Sequence, residues 1–336
     1  MKKVVTFGEL MMRLATCNNE RFGQARSLGL SYGGGEFNVA VSLANFGLQS
    51  QFVSRFPDND LGQSALEEVN RFKVNSDHIG FGGERLGIYF LEQGTGLRAS
   101  KVVYDRTNSS IATAKTGTFN WEIIFDKANW FHWSGVTPAL SQSAADVCLE
   151  ALKVAKSKGV KISCDLNYRS KLWKYGKMPA QIMPELLKYS DVILGDIDTA
   201  YFMLGLDKVN PDYTNLEKLP KLYNEIYNFC PDIKYVATSL RYAYNSSHQK
   251  IGGLLFNGEH IYSSVQYDVN HVVDRVGSGD AFMAGLIYGL QNNSNQCAID
   301  FATAACSLKH TIPGDLNRVR IDEVERFMKG SLDVQR

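Results

Sequence analysis

Asp274-Arg275-Val276-Gly277-Ser278-Gly279-Asp280, running into Ala281-Phe282-Met283-Ala284-Gly285-Leu286-Ile287, is a glycine turn that opens an apolar helix. Glycine lets the backbone bend sharply and brings several N–H groups toward one point. Together with the positive end of the helix dipole, such a turn forms an anion site. A carboxylate beside a bound anion is costly unless it has work to do there. Beside phosphate, Asp280 suits a general base that takes a proton from an attacking hydroxyl. The plainer alternative makes Asp280 a helix cap and first-turn acid, and the stretch alone leaves both open.

Outward from this turn, strand-like and helix-like segments alternate. Val4 to Phe7 reads as a first strand, and residues 9 to 34 as irregular and glycine-rich, ending in Tyr32-Gly33-Gly34-Gly35-Glu36. Val39, Leu43, Ala44 and Phe46 recur at helical spacing up to a stop at Gly47. Further strands are expected at 51 to 54, 129 to 133, 160 to 166, 191 to 194 and 233 to 238. Helices are expected at 61 to 72, 141 to 158, 179 to 188, 216 to 229, 279 to 291 and 296 to 309. A hairpin turns at Asn257-Gly258. Alternation of this kind predicts an α/β fold whose mostly parallel sheet is covered on both faces. Gly87 to Leu91 and Lys101 to Tyr104, parted by Gly94-Thr95-Gly96, instead read as antiparallel strands of a smaller sheet. One domain over 1–330 is expected, with a β-lid from about 9–34 and 80–110.

Composition narrows the function classes. Basic and acidic residues number 36 and 35, so no global basic excess is available for nucleic acid. No apolar run reaches the ~18 residues of a membrane span. The N-terminal apolar run is too short for a signal peptide and continues as the first strand. The six cysteines show neither C-x-x-C nor zinc spacing and read as reduced thiols of a cytoplasmic protein. There is no G-x-x-x-x-G-K-[ST] phosphate loop, and neither glycine stretch is in G-x-G-x-x-G register.

With both glycine stretches in view, the chain resembles the ribokinase-like (PfkB) carbohydrate kinases. Asp274 to Phe282 is close to that family's D-T-x-G-A-G-D-A-F, and Gly33-Gly34-Gly35-Glu36-Phe37-Asn38-Val39-Ala40 matches its N-terminal signature, roughly 240 residues earlier. The resemblance implies a three-layer α/β/α core with a β-sheet lid, use of ATP and Mg²⁺, Asp280 as base, and the N–H groups of Gly277, Ser278 and Gly279 around developing phosphate charge. Within the family the chain looks most like 2-keto-3-deoxygluconate kinases, through Gly87-Ile88-Tyr89, Val103-Tyr104-Asp105-Arg106 and Asp165 to Trp173. Gly34, Tyr89, Tyr104, Arg106 and Arg169 are then expected to line the substrate pocket, with Asp315 at the far end of the substrate. Asn167, Ser239 and Arg241 are expected on the nucleotide side, and no protein residue is assigned to a metal. Two arginines near one pocket favour an acid substrate, because the guanidinium fork binds carboxylates two-pronged. Each has a plainer reading: solvated surface arginines, and tyrosines that merely pack the lid.

Three places depart from the family pattern. Gly195-Asp196-Ile197-Asp198 stands where N-x-x-E is usual, so Asp198 replaces the Glu and nothing replaces the Asn. The segment 238 to 249 reads as a long glycine-free loop in place of a K-G-x-x-G nucleotide loop. Arg275 stands for the usual Thr and is free either to bind phosphate or to pair with Asp274. The departures at 195 and 238–249 keep a non-catalytic sugar sensor in play, and a fructokinase- or ribokinase-type enzyme for a neutral sugar is a second alternative. Homo-oligomerisation through an exposed lid edge is a further expectation.

Overall fold

The computed structural model describes residues 2–230 and 232–331. The chain opens with a strand, Lys3–Phe7 (β1), followed by Met11–Thr16 (β2) and Leu28–Gly33 (β3), then helix Gly35–Asn45 (α1), strand Gln49–Phe56 (β4) and helix Asp60–Arg71 (α2). Next come three strands, Ile79–Phe81 (β5), Gly87–Glu92 (β6) and Lys101–Asp105 (β7). A short helix, Trp121–Ile124 (α3), leads into Ala128–Ser134 (β8), Gln142–Ser157 (α4), Lys161–Asp165 (β9), Pro179–Leu187 (α5), Val192–Leu194 (β10), Ile197–Leu204 (α6) and Leu219–Phe229 (α7). An antiparallel run follows, Tyr235–Ala243 (β11), Gln249–Phe256 (β12), Ile261–Ser263 (β13) and Tyr267–Val269 (β14). Helices Ser278–Asn292 (α8), Asn295–Lys309 (α9) and Ile321–Met328 (α10) complete the chain.

The central sheet has ten strands, ordered β13-β12-β11-β10-β9-β8-β1-β4-β5 with β14 paired to β12. It is parallel from β11 to β5. One face carries Phe7, Phe131, Trp133 and Ile162 against α4 to α7, and the other carries Val4 and Trp130 against α1, α8 and α9. The three-layer arrangement is the one that strand-helix alternation predicts.

Residues 9 to 34, expected to be irregular, contain β2 and β3. These join β6 and β7 in a separate four-stranded sheet, ordered β3-β2-β6-β7. Its pairing register sets two rows. Arg13, Tyr89 and Tyr104 lie opposite one another on the inner face, with Met11, Leu91, Val102 and Val276 packed around them. Leu30, Leu14, Phe90 and Val103 form the next row, on the outer face. Leu30 and Val103 there are more than half exposed.

The segment 238 to 249 is not a loop. β11 continues through Ala243, turns over 244 to 248 and returns as β12, so the polar side chains ride on a projecting two-stranded ribbon. Its tip is tied to the small sheet. Ser246 N–H donates to Gly96 O (2.9 Å), Gly96 N–H to Ser247 Oγ (3.0 Å) and Ser246 Oγ to Arg98 O (2.8 Å). Gln93 Nε2 reaches Val273 O at 2.7 Å.

Helices α8 and α9 pack with almost nothing between them. A Cβ at Gly285 would lie 2.8 Å from Ala302 Cα. Gly→Ala in a free helix stabilises by about 1 kcal/mol. Here overpacking against backbone, about 1–3 kcal/mol, opposes that gain and decides the sign. Gly285→Ala is expected to lower the thermal midpoint, and a midpoint at or above wild type would contradict the close α8–α9 contact.

Candidate functional site

Gly277 sits at φ 81°, the left-handed region that favours glycine, and caps α8. A Cβ there would also strike the Asp315 carbonyl oxygen. Glycine is thus required twice over, by conformation and by contact. Ser278, expected to aim its N–H at an anion, donates it to Arg275 O instead (3.2 Å) and closes the turn. The N–H groups of Gly277, Gly279 and Asp280 are left without a protein acceptor among the described residues. They sit at the positive end of a 15-residue helix.

Asp280 is half-buried in the first turn of α8. Asn38 Nδ2 on α1 donates to its Oδ2 at 2.7 Å, so the carboxylate lies between two helix N-termini. Burial raises its pKa to about 7, with the charges of Asp165, Asp315 and Glu36 adding to the rise and the Asn38 hydrogen bond opposing it. Asp165 at the end of β9 is likewise raised to about 7, by burial first, against the nearby charge of Arg169. Glu36 is fully enclosed, accepts from Ser134 Oγ (2.6 Å) and Thr137 Oγ1 (3.2 Å), and is raised by burial. A Cβ at Gly35 would lie 3.5 Å from Asp280 Oδ1 and 3.7 Å from Asn167 Nδ2, so bare backbone leaves open space between those two groups. Asn167 Oδ1 is enclosed there without a partner.

Gly34 caps α1 where a Cβ would strike Glu9 O, so the chain passes flush against the end of β1. Tyr89 and Tyr104 face each other with centroids 6.3 Å apart. Arg106, far from being a solvated surface arginine, is 6% exposed and lies over the Tyr104 ring at 5.5 Å. Its guanidinium is already paired, with Nε 2.7 Å from Glu9 Oε2 and Nη2 on the same oxygen. Arg169 is exposed and has no ion pair among the described residues; its Nη1 donates only to the neighbouring Tyr168 O.

On the other side of the turn, Ser239 and Arg241 lie on β11, opposite Gly253 and Ile251. Arg241 is exposed, and its charge adds to burial, the larger cause, in lowering the pKa of Arg275. Arg275 does not pair with Asp274, whose carboxylate is taken elsewhere. Neither guanidinium has an ion pair among the described residues, and with the helix N–H groups they make a fit for a polyphosphate. Asp196 begins α6 and Asp198 stands in its first turn, where Asp196 is raised by burial and by Asp198 and lowered by Arg241. No three His, Cys, Asp or Glu residues among those described form a metal cage. Two hard carboxylates beside a phosphate site nonetheless suit Mg²⁺, which keeps most of its waters and takes its remaining oxygens from phosphate.

Sequence reading assigned no role to Arg13. Its guanidinium, 4% exposed, bridges Asp274 (Nη2–Oδ2, 2.6 Å) and Asp315 (Nη1–Oδ1, 2.6 Å). Asp274 also accepts from Val276 N–H (3.0 Å) and Gly314 N–H (3.1 Å). Asp315, expected at the far end of a substrate, accepts Tyr89 OH at 2.6 Å on both oxygens. It is thus committed to the small sheet and to the floor under Gly277. Asn38 and Glu9 also went unassigned. The one available signal for Arg13 was a charge inside the apolar run Met11-Met12-Arg13-Leu14.

A family model described as pfkB family carbohydrate kinase matches residues 1–319. A 2-dehydro-3-deoxygalactonokinase from Haloferax volcanii is 31% identical over 98% of this chain and 97% of its own length. The crystal structure of a 2-dehydro-3-deoxygluconokinase from Thermotoga maritima superposes with a TM-score of 0.92 at 41% identity, covering 98% of this chain and 100% of that one. A pfkB family carbohydrate kinase from Listeria grayi gives 0.90 at 33% identity, covering 98% and 100%.

Removing Arg13 strands two buried carboxylates, which costs about 3–5 kcal/mol. The exposed pair Arg85–Asp105 contributes about 0–1 kcal/mol. Denaturant unfolding is expected to show Arg13→Met far less stable than Arg85→Met. Equal losses would mean that the bridge carries no special load.

Proposed function

The chain belongs to the pfkB family of carbohydrate kinases, and we propose that it transfers the terminal phosphoryl group of ATP to the terminal hydroxyl of a 2-keto-3-deoxy sugar acid, giving the 6-phosphate. 2-Keto-3-deoxygluconate is the first candidate and its galactonate epimer the second. The observation that carries the proposal is the convergence, at one turn, of free helix N–H groups, two unpaired guanidinium groups and the half-buried carboxyl of Asp280.

In this scheme Asp280 takes the proton from the attacking hydroxyl. Asn38 holds the carboxylate toward the gap beside Gly35, and Asn167 offers its free Oδ1 to a ligand hydroxyl in that gap. The N–H groups of Gly277 and Gly279 meet the charge that develops on the transferring group. Arg275 and Arg241 hold the donor's phosphates, with Ser239 beside them on the ribbon. Mg²⁺, held through Asp196 and Asp198, would neutralise phosphate charge when bound. The four-stranded sheet acts as a lid within a single domain and excludes water, so that phosphoryl transfer is not diverted to hydrolysis. Its row of Leu30, Leu14, Phe90 and Val103 is the face on which a second copy would pair.

Substrate selection rests on Arg169, which lies near Asp165 and has no ion pair among the described residues. Glu9 already holds Arg106, which makes Arg106 a support for Tyr104 and the pocket wall. A neutral-sugar kinase is the second reading, favoured by that same neutralisation. ATP-coupled assays across both keto-deoxy acids, fructose and ribose decide between the two. Arg169→Ala is expected to raise KM for the sugar acid by roughly 10–100-fold, the loss of one charged hydrogen bond, with kcat little changed. An unmoved KM would overturn the assignment of Arg169.

Asp280→Asn is expected to lower kcat by about 10²–10⁴-fold while the sugar acid still binds. In the wild type the acid limb of kcat/KM should fall near pH 7, because the base must be unprotonated. Stability moves the opposite way. The folded carboxyl holds its proton up to about 7 against 3.8 when unperturbed, so the folded state loses stability as pH rises through that window. Asp280→Asn should therefore melt above wild type at pH 8, with the difference fading toward pH 4. A variant that melts lower at pH 8 would show that Asp280 is structural.

A further inference from the structure

One buried charge has no part in this scheme. Lys309 is the last residue of α9 and is 0% exposed. A lysine so enclosed usually meets a carboxylate. Its Nζ instead donates to two backbone carbonyls, Ile312 O at 3.1 Å and Asp274 O at 3.3 Å. Both carbonyls belong to the segments that shape the phosphate-facing turn. Asp274 starts the run into Gly277. Ile312 starts the run into Gly314 and Asp315, whose carbonyl packs directly under Gly277.

The nearest carboxylates are occupied, since Arg13 bridges Asp274 and Asp315. They act on the ammonium through space. Burial lowers the Lys309 pKa, Asp274 and Asp315 raise it, Arg13 lowers it and Asp280 raises it. Two aspartates thus balance two cations, one on a carboxylate bridge and one on carbonyls. Carbonyl oxygens converging on a dehydrated unit positive charge are the surroundings in which a protein holds a potassium ion. A lysine ammonium carries the same charge and donates along the same directions, but it cannot dissociate.

We propose that Lys309 is a tethered monovalent cation: its ammonium fills a carbonyl cage behind the glycine turn, fixes the Asp274 and Ile312 carbonyls, and so positions the turn for phosphoryl transfer without a free cation. Lys309 is a positioning residue, because it touches neither phosphate nor sugar. The proposal rests on reading the turn as the phosphoryl-transfer site. It predicts a kinase indifferent to potassium, and a variant that acquires a requirement for it.

The test compares wild type and Lys309→Met in potassium, ammonium, sodium and tetramethylammonium chloride at equal ionic strength. Wild-type kcat should vary by less than about twofold across the series. Lys309→Met in tetramethylammonium should lose about 10²-fold in kcat, the scale of one misplaced donor in a preorganised site, with a smaller change in KM. Potassium or ammonium should restore at least about tenfold of that rate and raise the variant's melting temperature, as a ligand that binds only the folded state does. The melting shift needs no substrate, so a wrong sugar assignment leaves it readable. Potassium activation of the wild type overturns the proposal. So does a folded Lys309→Met that stays active without small cations or answers to none of them. Lys309→Ala, which leaves a larger cage, repeats the test if the Met variant does not fold. If neither folds with potassium or ammonium present, the cage does not accept a free cation and the proposal fails.

Discussion

The site depends on one constraint: a buried guanidinium must meet its counter-charges, and Arg13 meets two. Its partners lie 261 and 302 residues further along the chain, so this one side chain gathers β2, the run into the glycine turn and the segment after α9 into one place. Desolvating three charges is expensive, and a well-packed apolar substitute is often as stable. What the ionic version adds is direction. Each guanidinium edge accepts one carboxylate in one plane, so the small sheet can seat on the core in only one register. Tyr89 follows because it stands opposite Arg13 on the neighbouring strand, and Asp315 follows because it answers both.

Much of this was legible in the chain itself. Glycine requirements are local, and Gly277 and Gly34 stand where backbone approaches backbone. Strand-helix alternation gave the layers, and the period-2 runs at 87 to 91 and 101 to 104 gave half of the small sheet. The other half was hidden. β2 is hidden because Arg13 interrupts its apolar run and both faces are covered in part, Met12 toward α1 and Met11 toward the glycine turn, so the alternation that marks a half-wet strand is lacking. Arg13 and Arg106 read as free cations because Asp274, Asp315 and Glu9 are distant in sequence. The ribbon at 238 to 249 reads as a loop in sequence because a strand wet on both faces carries loop-like residues. Helix α6 is legible in Ile197, Ala200, Tyr201 and Leu204, which keep helical spacing over only eight residues.

The carboxyl groups around Asp280 show the opposing pressure. Asp165, Glu36 and Asp280 share one recess, and burial raises all three. A fold selected for stability alone would not gather them. The helix N-termini of α1 and α8 offset part of the cost, and the hydroxyls of Ser134 and Thr137 offset another part at Glu36. What remains is the disfavoured local state common to functional sites, set within a core stable enough to hold it.

The hydrogen bonds between the ribbon tip and Gly96 to Arg98 join the ribbon to the segment between β6 and β7. The ribbon carries Arg241, proposed for the phosphate side, and the strands running to Gly96 carry Tyr89 and Tyr104, proposed for the sugar side. Neither part can swing away without pulling on the other or breaking three hydrogen bonds together. With the roles proposed for those residues, the molecule has one door for both of its guests. Departure of the spent nucleotide and of the phosphorylated product becomes a single event in time, and its frequency sets a ceiling on turnover however fast the chemistry runs.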